Sequence, residues 1–452
     1  MIRNIRHLFF IYNVFSFFLK KSKVHNNIII LFIVFFSTPI KAETKNIIYM
    51  IGDGMGVSYL SAFRYYNDDP NTVEVEDTVF DDIWVGMVST YPRKLYHITD
   101  SAAGGTALAT GEKTLNGFVG MNSDQQPLES ILSLASNKGF KTGMIVTSSV
   151  TGATPASFLT SNISRKNKHQ IAKNYITDIS MEKNKFDLLL GGGKKYFYQN
   201  GNELIDNAIQ KKIYYVDKFE KLKNSTKLPV LGLFADEGLP FYIDHRTPDL
   251  PMMTEYALEK LKNPSGFVLV IESSQIDWCG HANDIVCAMN EMKEFSDTVK
   301  LVKKFVDNNK DTLLVITADH STGGLSIGAK RRNIWNPSLI KKMKTSVSNL
   351  TELLINNNNI EKIWNEKVGF PLDENIKKEI GEKKINGRYI LEEYLIELIN
   401  SLTNTGWTTK NHTGEDVPLL AYGSGSLHFS KCLDNTQIAL RFKKIISERK
   451  NK

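Results

Sequence analysis

One hydroxyl, that of Ser101, stands in Thr99-Asp100-Ser101-Ala102-Ala103-Gly104-Gly105-Thr106-Ala107 among side chains too small to cover it, and it is expected to lie exposed. The following Ala107-Leu108-Ala109 favours helix. Ser101 is therefore placed at a helix N-terminus, where unsatisfied N–H groups and the dipole favour an anion such as phosphate. Taken alone, Asp-Ser-Ala-Ala is more often a helix cap than a nucleophile. A serine hydroxyl is weak at neutral pH and needs a base or a metal beside it.

Candidate activators sit where apolar runs end. Asn46 to Ile51 reads as a buried strand followed by Gly52-Asp53-Gly54, an acid between glycines that let a ligand approach closely. Phe267 to Ile271 is a second such run and ends in Glu272; Asp277 and His281 follow, four apart, so that on a helical turn both face one way and can share a metal. Thr312 to Ala318 is a third run, ending in Asp319-His320. Two strands finishing in Glu and in Asp-His point to metal ligation over satisfied structural residues. Thr154 lies in the polar loop Thr151-Gly152-Ala153-Thr154-Pro155, with Pro155 suited to the first turn of a helix. Arg165 is expected on the helix after that loop, where its planar fork could clamp a phosphate through two N–H groups. His412 precedes the run Val417 to Tyr422; His97, His169, His245 and His428 have no acidic partners at useful spacing.

The elements that must hold these residues alternate. Strands are expected at Asn46–Ile51, Trp84–Thr90, Lys141–Thr147, Phe186–Leu190, Pro229–Ala235, Phe267–Ile271, Thr312–Ala318 and Val417–Tyr422, with helices at Val57–Tyr66, Leu128–Lys138, Met252–Leu261 and about Asn435–Ile446 between or after them. That pattern predicts an α/β fold: a doubly wound, mostly parallel central sheet with helices on both faces, whose ligands gather at strand C-termini. Residues 326–410 shift to Lys, Asn, Ile and Glu and read as a helical cap inserted into that fold. Phe186 to Gly193 ends in glycines but lacks the Gly-Lys-Ser/Thr ending of a phosphate-binding P-loop.

At 452 residues the chain is long enough for one large α/β domain with an insertion. Its formal charge of +7 is misleading, because six basic residues and no acids precede Glu43, and the rest carries 50 basic against 49 acidic side chains. A near-neutral body argues against nucleic acid as the partner. Residues 1–42 alternate basic and apolar stretches and end in Ala42, a small residue suited to cleavage. They read as an export signal, with an uncleaved anchor as the alternative, leaving 43–452 as the exported domain. Cys279, Cys287 and Cys432 cannot all pair and form no metal spacing; they read as buried small residues, and a Cys279–Cys287 bridge is open but not indicated.

Taken in order, Ile51-Gly52-Asp53-Gly54, Asp100-Ser101-Ala102-Ala103, Ala153-Thr154-Pro155-Ala156, Arg165, Glu272 with Asp277 and His281, Asp319-His320 and His412-Thr413-Gly414 resemble the alkaline phosphatase family. The resemblance runs from about Lys45 to the C-terminus, outside the divergent insertion. It implies a metal-dependent phosphomonoesterase working through a phosphoserine on Ser101, with Arg165 gripping the phosphate. It further implies two zinc ions, one held by Asp277, His281 and His412 and one by Asp53, Asp319 and His320, and a magnesium ion bridged by Asp53 and completed by Thr154 and Glu272. Mixed His–carboxylate sets do suit Zn²⁺, and an all-oxygen set suits Mg²⁺. Many members carry Asp or His where this chain has Gly152, a departure that bears on which metal the third site takes; at Trp278, members differ between Lys, His and Trp. The family further implies small phosphomonoester substrates, a periplasmic or extracellular location, and a homodimer as a common assembly. The alternatives are a phosphodiesterase of the same superfamily, which often uses Thr and lacks a match to Arg165, and a catalytically silent metal-binding exported protein. Sulfatases require a Cys-x-Pro-x-Arg context that is missing.

Overall fold

The computed structural model describes residues 44–449 except 94–95, 178–184, 199–200, 202, 224 and 331–332; residues 1–42, which read as an export signal, lie outside the described residues. The strands are β1 (Asn46–Gly52), β2 (Trp84–Ser89), β3 (Lys141–Ser149), β4 (Leu188–Gly192), β5 (Tyr214–Val216), β6 (Val230–Leu233), β7 (Phe267–Ser273), β8 (Thr312–Thr317), the two-residue β9 (Ser321–Thr322), β10 (Ser326–Ile327), β11 (Thr405–Gly406) and β12 (His412–Thr413), then β13 (Val417–Gly423) and β14 (Lys431–Asp434). Ten of them form one sheet in the order β14-β2-β13-β8-β1-β7-β3-β4-β6-β5. Only β13 runs antiparallel to its neighbours, so the sheet is mostly parallel as expected. Every residue of β1, β7 and β8 is buried, which is why these strands read as continuous apolar runs.

Register carries the chemistry to one edge. Ile51 of β1 pairs with Glu272 of β7 and with Thr317 of β8, so Asp53, Glu272 and Asp319 leave the sheet side by side at its C-terminal rim. Because β13 is antiparallel to β8, the segment that enters it, carrying His412, arrives at that same rim. There β12 pairs with β9, setting His412 opposite Thr322.

The helices that matter most here are α1 (Val57–Asn67), α2 (Ser101–Thr110), α3 (Ala153–Leu159), α4 (Gln275–Ala282) and α5 (Ile285–Asn308). Asp100 caps α2, its carboxylate accepting from Ala103 N, so Ser101 is the first helical residue. Small residues let α2 come close: a Cβ built at Gly104 would lie 3.0 Å from the Asp319 carbonyl oxygen. Residues 326–410 hold five helices, the last Arg388–Thr403, together with the β10–β11 pair.

Four details differ from expectation. Ser101 is buried, only 2 % exposed, because α2 is pressed against the strand ends. Arg165 sits on a turn before the helix Lys168–Thr177, with its N–H donated to Gly117 O, rather than on a helix. Cys279 and Cys287 form a disulfide between α4 and α5, and Cys432 is exposed rather than buried. No helix among the described residues is long and apolar enough to cross a membrane.

The α4–α5 break is held by a buried carboxylate. Asn283 takes a left-handed conformation, and Asp284 Oδ1 then accepts from Val286 N and Cys287 N while Oδ2 accepts from Val347 N at 2.9 Å. One side chain thus caps α5 and ties it to the helix Val347–Asn356 of the insertion. Asp284→Ala removes all three bonds from a buried site and should lower stability by about 3 kcal/mol, read as a fall in denaturant midpoint at unchanged slope.

Candidate metal centre and phosphate site

Two groups of side chains offer converging ligand atoms: Asp277 with His281 and His412, and Asp53 with Asp319 and His320, each set within 4.8 Å. Helical spacing on α4 brings His281 Nε2 to 3.4 Å from Asp277 Oδ2, and the β9–β12 pairing brings His412 Nε2 to 3.7 Å from Asp277 Oδ1. His281 Nδ1 meets the Lys410 carbonyl at 2.6 Å and His412 Nδ1 the Thr99 carbonyl at 2.9 Å. A carbonyl can only accept, so both Nδ1 atoms carry the proton and both Nε2 lone pairs face inward, 3.2 Å apart.

Thr322 joins the two groups. Its hydroxyl donates to Asp277 Oδ1 and its oxygen lies 3.2 Å from His320 Nδ1, which therefore donates to it. His320 Nε2 is left bare, 3.3 Å from Asp319 Oδ2, 3.5 Å from Asp53 Oδ1 and 3.1 Å from Ser101 Oγ, whose hydroxyl donates to it. Sequence reasoning did not single out Thr322, although its place two residues after His320 on the same rim was a usable signal.

A cavity of about 100 Å³ opens on Ser101, Asp53, Thr154, Glu272 and Asp277, with Arg165 on its wall. Arg165 Nη1 binds Asp100 Oδ2 at 3.1 Å, so the cap of α2 also orients the arginine. All ten residues singled out from the sequence therefore gather at one rim. Lys168, Glu237, Ser148 and Ser149 also line the cavity and had no sequence signal of their own. The nearest atoms to a Cβ at Gly152 would be Ser149 O at 3.0 Å, Ser148 Oγ at 3.4 Å and Pro155 Cδ at 3.5 Å.

The electrostatics of this rim suit bound cations. Burial, then Asp319, Asp277 and Glu272, pushes the Asp53 carboxyl well above its ordinary range. Burial pushes Glu272 up to about 7, and burial with the Asp277 charge pushes Asp319 up to about 7. Asp277 alone is held low: burial opposes its charge, but the bond to His281 and the nearby His320 and His412 outweigh it. Burial, reinforced by His412, holds His320 well below the usual imidazole value. Asp53 Oδ1, Asp319 Oδ2 and Thr154 Oγ1 are buried without a hydrogen-bond partner among the described residues. Unpaired oxygen ligands, neutral imidazoles and crowded carboxylates are what bound divalent cations relieve. The residues present fit such ions.

The chain is similar to alkaline phosphatases over most of its length. The family model described as alkaline phosphatase matches residues 44–447. Alkaline phosphatase 3 of Bacillus subtilis is 43% identical over 406 residues, covering 88% of both chains. The repressible alkaline phosphatase of Saccharomyces cerevisiae is 31% identical over 447 residues, covering 87% of this chain and 79% of that one. Among solved structures, the cold-active alkaline phosphatase of a psychrophilic Shewanella sp. superposes with a TM-score of 0.85 at 40% identity, covering 89% of this chain and 99% of that one.

Raised carboxyl pKa values carry a sign. Metal-free protein binds protons at Asp319 and Glu272 that the unfolded chain has already released, so its stability falls as pH rises through about 7, the value of both groups. Melting temperature of chelated protein should therefore drop between roughly pH 6.5 and 8, above the titration of unfolded histidine. Adding zinc and magnesium should recover more stability at pH 8 than at pH 6.5; an equal gain at both would remove the carboxylate cluster as the metal-binding group.

Proposed function

The chain belongs to the alkaline phosphatase family and is a phosphatase of small phosphate esters, and from that premise we propose that it hydrolyses phosphate monoesters through a phosphoserine on Ser101. The observation that supports this most is the placement of Ser101 Oγ 3.1 Å from His320 Nε2, at the start of a helix and on the floor of the cavity walled by Arg165. A merely structural metal protein has no use for that nucleophile or that clamp.

In this reading Asp277, His281 and His412 hold one zinc ion, Asp53, Asp319 and His320 a second, and Asp53, Thr154 and Glu272 a magnesium ion. Bound there, the ions supply Lewis acidity to the phosphoryl oxygens, the serine hydroxyl, the leaving oxygen and the attacking water. Ser101 Oγ gives up its proton to solvent and attacks phosphorus in line, and the P–O bond to the alcohol breaks on the far side as the departing oxygen takes up a proton from water. The N-terminus of α2 and the Arg165 guanidinium hold the non-bridging oxygens as charge builds on them. Asp100 keeps Arg165 aimed and keeps Ser101 at the first turn of its helix. Water then attacks the phosphoserine, and phosphate leaves with Ser101 restored. In the same reading residues 1–42 direct export, and 43–452 form the exported domain, in the periplasm or outside the cell, with 326–410 as its cap.

Protein produced from Glu43 onward should release phosphate from phenyl phosphate at pH 9, lose that activity on chelation and regain it with zinc and magnesium. Ser101→Ala should lower kcat by roughly 10³-fold or more, and acid quenching should trap phosphate on Ser101 in the parent. Arg165→Ala should cost roughly 10²-fold in kcat/KM. Metal-loaded, folded parent protein without activity would overturn the reading.

A further inference from the structure

The rim of the phosphate cavity carries a second cation that the proposed chemistry leaves unused. Lys168 lines the cavity with Arg165, Glu237 and Trp278. Its Nζ donates to Tyr196 Oη at 3.2 Å, and that phenol in turn donates to Glu237 at 2.7 Å. Glu237 is neutralised more closely by Lys195 than by Lys168, whose Nζ stands 3.8 Å away. The group of Lys168, Lys195 and Glu237 therefore keeps one net positive charge, and Lys168 keeps two N–H donors without a hydrogen-bond partner among the described residues.

This charge stands apart from the nucleophile. Arg165 is tied through Asp100 to the helix of Ser101, whereas Lys168 is tied through Tyr196 to the wall that bears Glu237. The neighbouring Gly238 lets Trp278 form the adjacent surface, since a Cβ there would come within 2.5 Å of the indole ring. A cavity of about 100 Å³ is sized for a phosphate group, so the rest of a bound ester extends beyond it. Lys168 is half-buried, and burial, only partly opposed by Glu237, lowers its pKa. It is therefore a partly desolvated cation, and its attraction to an anion is screened less than at an open surface.

We propose that Lys168 is a specificity-determining residue that recognises a second anionic group, a carboxylate or a further phosphate, carried on the leaving group of the phosphomonoester. The inference rests on the phosphomonoesterase reading. Lys168 plays no part in breaking the ester bond; it favours substrates by charge as they pass the rim, while Arg165 and Ser101 act on the reacting phosphate.

The test compares 3-carboxyphenyl phosphate with its neutral counterpart 3-carbamoylphenyl phosphate on metal-loaded protein at pH 8, a pair matched in size. The parent should prefer the carboxylate by about five-fold in kcat/KM, a preference that 0.5 M salt erodes. Lys168→Met, which keeps the stem and removes the charge, should bring the ratio to about one, and Lys168→Arg should retain most of it. Equal kcat/KM for the two esters in the parent, or a preference that survives in Lys168→Met, overturns the proposal. The first of these results does not depend on the variant folding, because the parent's own preference and its salt dependence are read without it. Folded parent that hydrolyses neither ester overturns the phosphomonoesterase reading itself, an outcome distinct from equal hydrolysis of both.

Discussion

Four carboxylates, Asp53, Glu272, Asp277 and Asp319, are buried at one rim of the sheet, where lost hydration and mutual repulsion disfavour the charge of all but Asp277, which neighbouring histidines hold ionised. Much of the surrounding architecture can be understood as holding that unfavourable arrangement in place. Parallel pairing sets the ends of β1, β7 and β8 level, so three of the acids emerge together. The fourth comes from α4, which is short, stapled by the Cys279–Cys287 bridge to α5 and separated from it by a left-handed residue. Strong apolar burial of the three strands offsets what the acids cost.

The histidines are aimed by groups that carry no charge. Backbone carbonyls of Lys410 and Thr99 take the Nδ1 protons of His281 and His412, and the Thr322 hydroxyl serves His320. Each ring thus presents a bare Nε2 to the rim. Since the carbonyls belong to the segment before β12 and to the loop before α2, ligand orientation depends on three remote stretches of chain closing on one another. Asp100 links the anionic rim to the phosphate side in the same economical way, capping the helix of Ser101 with one oxygen and holding Arg165 with the other. The two readings of Asp100-Ser101, helix cap and nucleophile, fall on adjacent residues: Asp100 is the cap, and Ser101 lines the cavity.

The order of the strands in the sheet was not legible, but the central strands were, because fully buried parallel strands are continuous apolar runs, and a polar residue at the end of such a run is conspicuous. That is why Asp53, Glu272, Asp319 and His320 could be named from spacing alone, and why Asp277 and His281 followed from a four-residue step. Arg165 reads as helical because it follows a polar loop in which Pro155 suits a helix start, whereas its backbone N–H is claimed by Gly117 O across the fold. The Cys279–Cys287 bridge was equally hidden, since the left-handed turn at Asn283 that brings α4 back toward α5 has no unique sequence mark.

By itself the sequence determined an α/β sheet and the residue types that can bind cations and phosphate, because burial and side-chain period are local properties of a strand or helix. Only the tertiary structure decided that Ser101 is buried, that Thr322 bridges two ligand groups, and that Lys168, Tyr196 and Glu237 meet at the rim of the cavity. Those contacts join residues far apart in the chain or depend on how α2 packs, and register between distant strands sets them rather than any local preference.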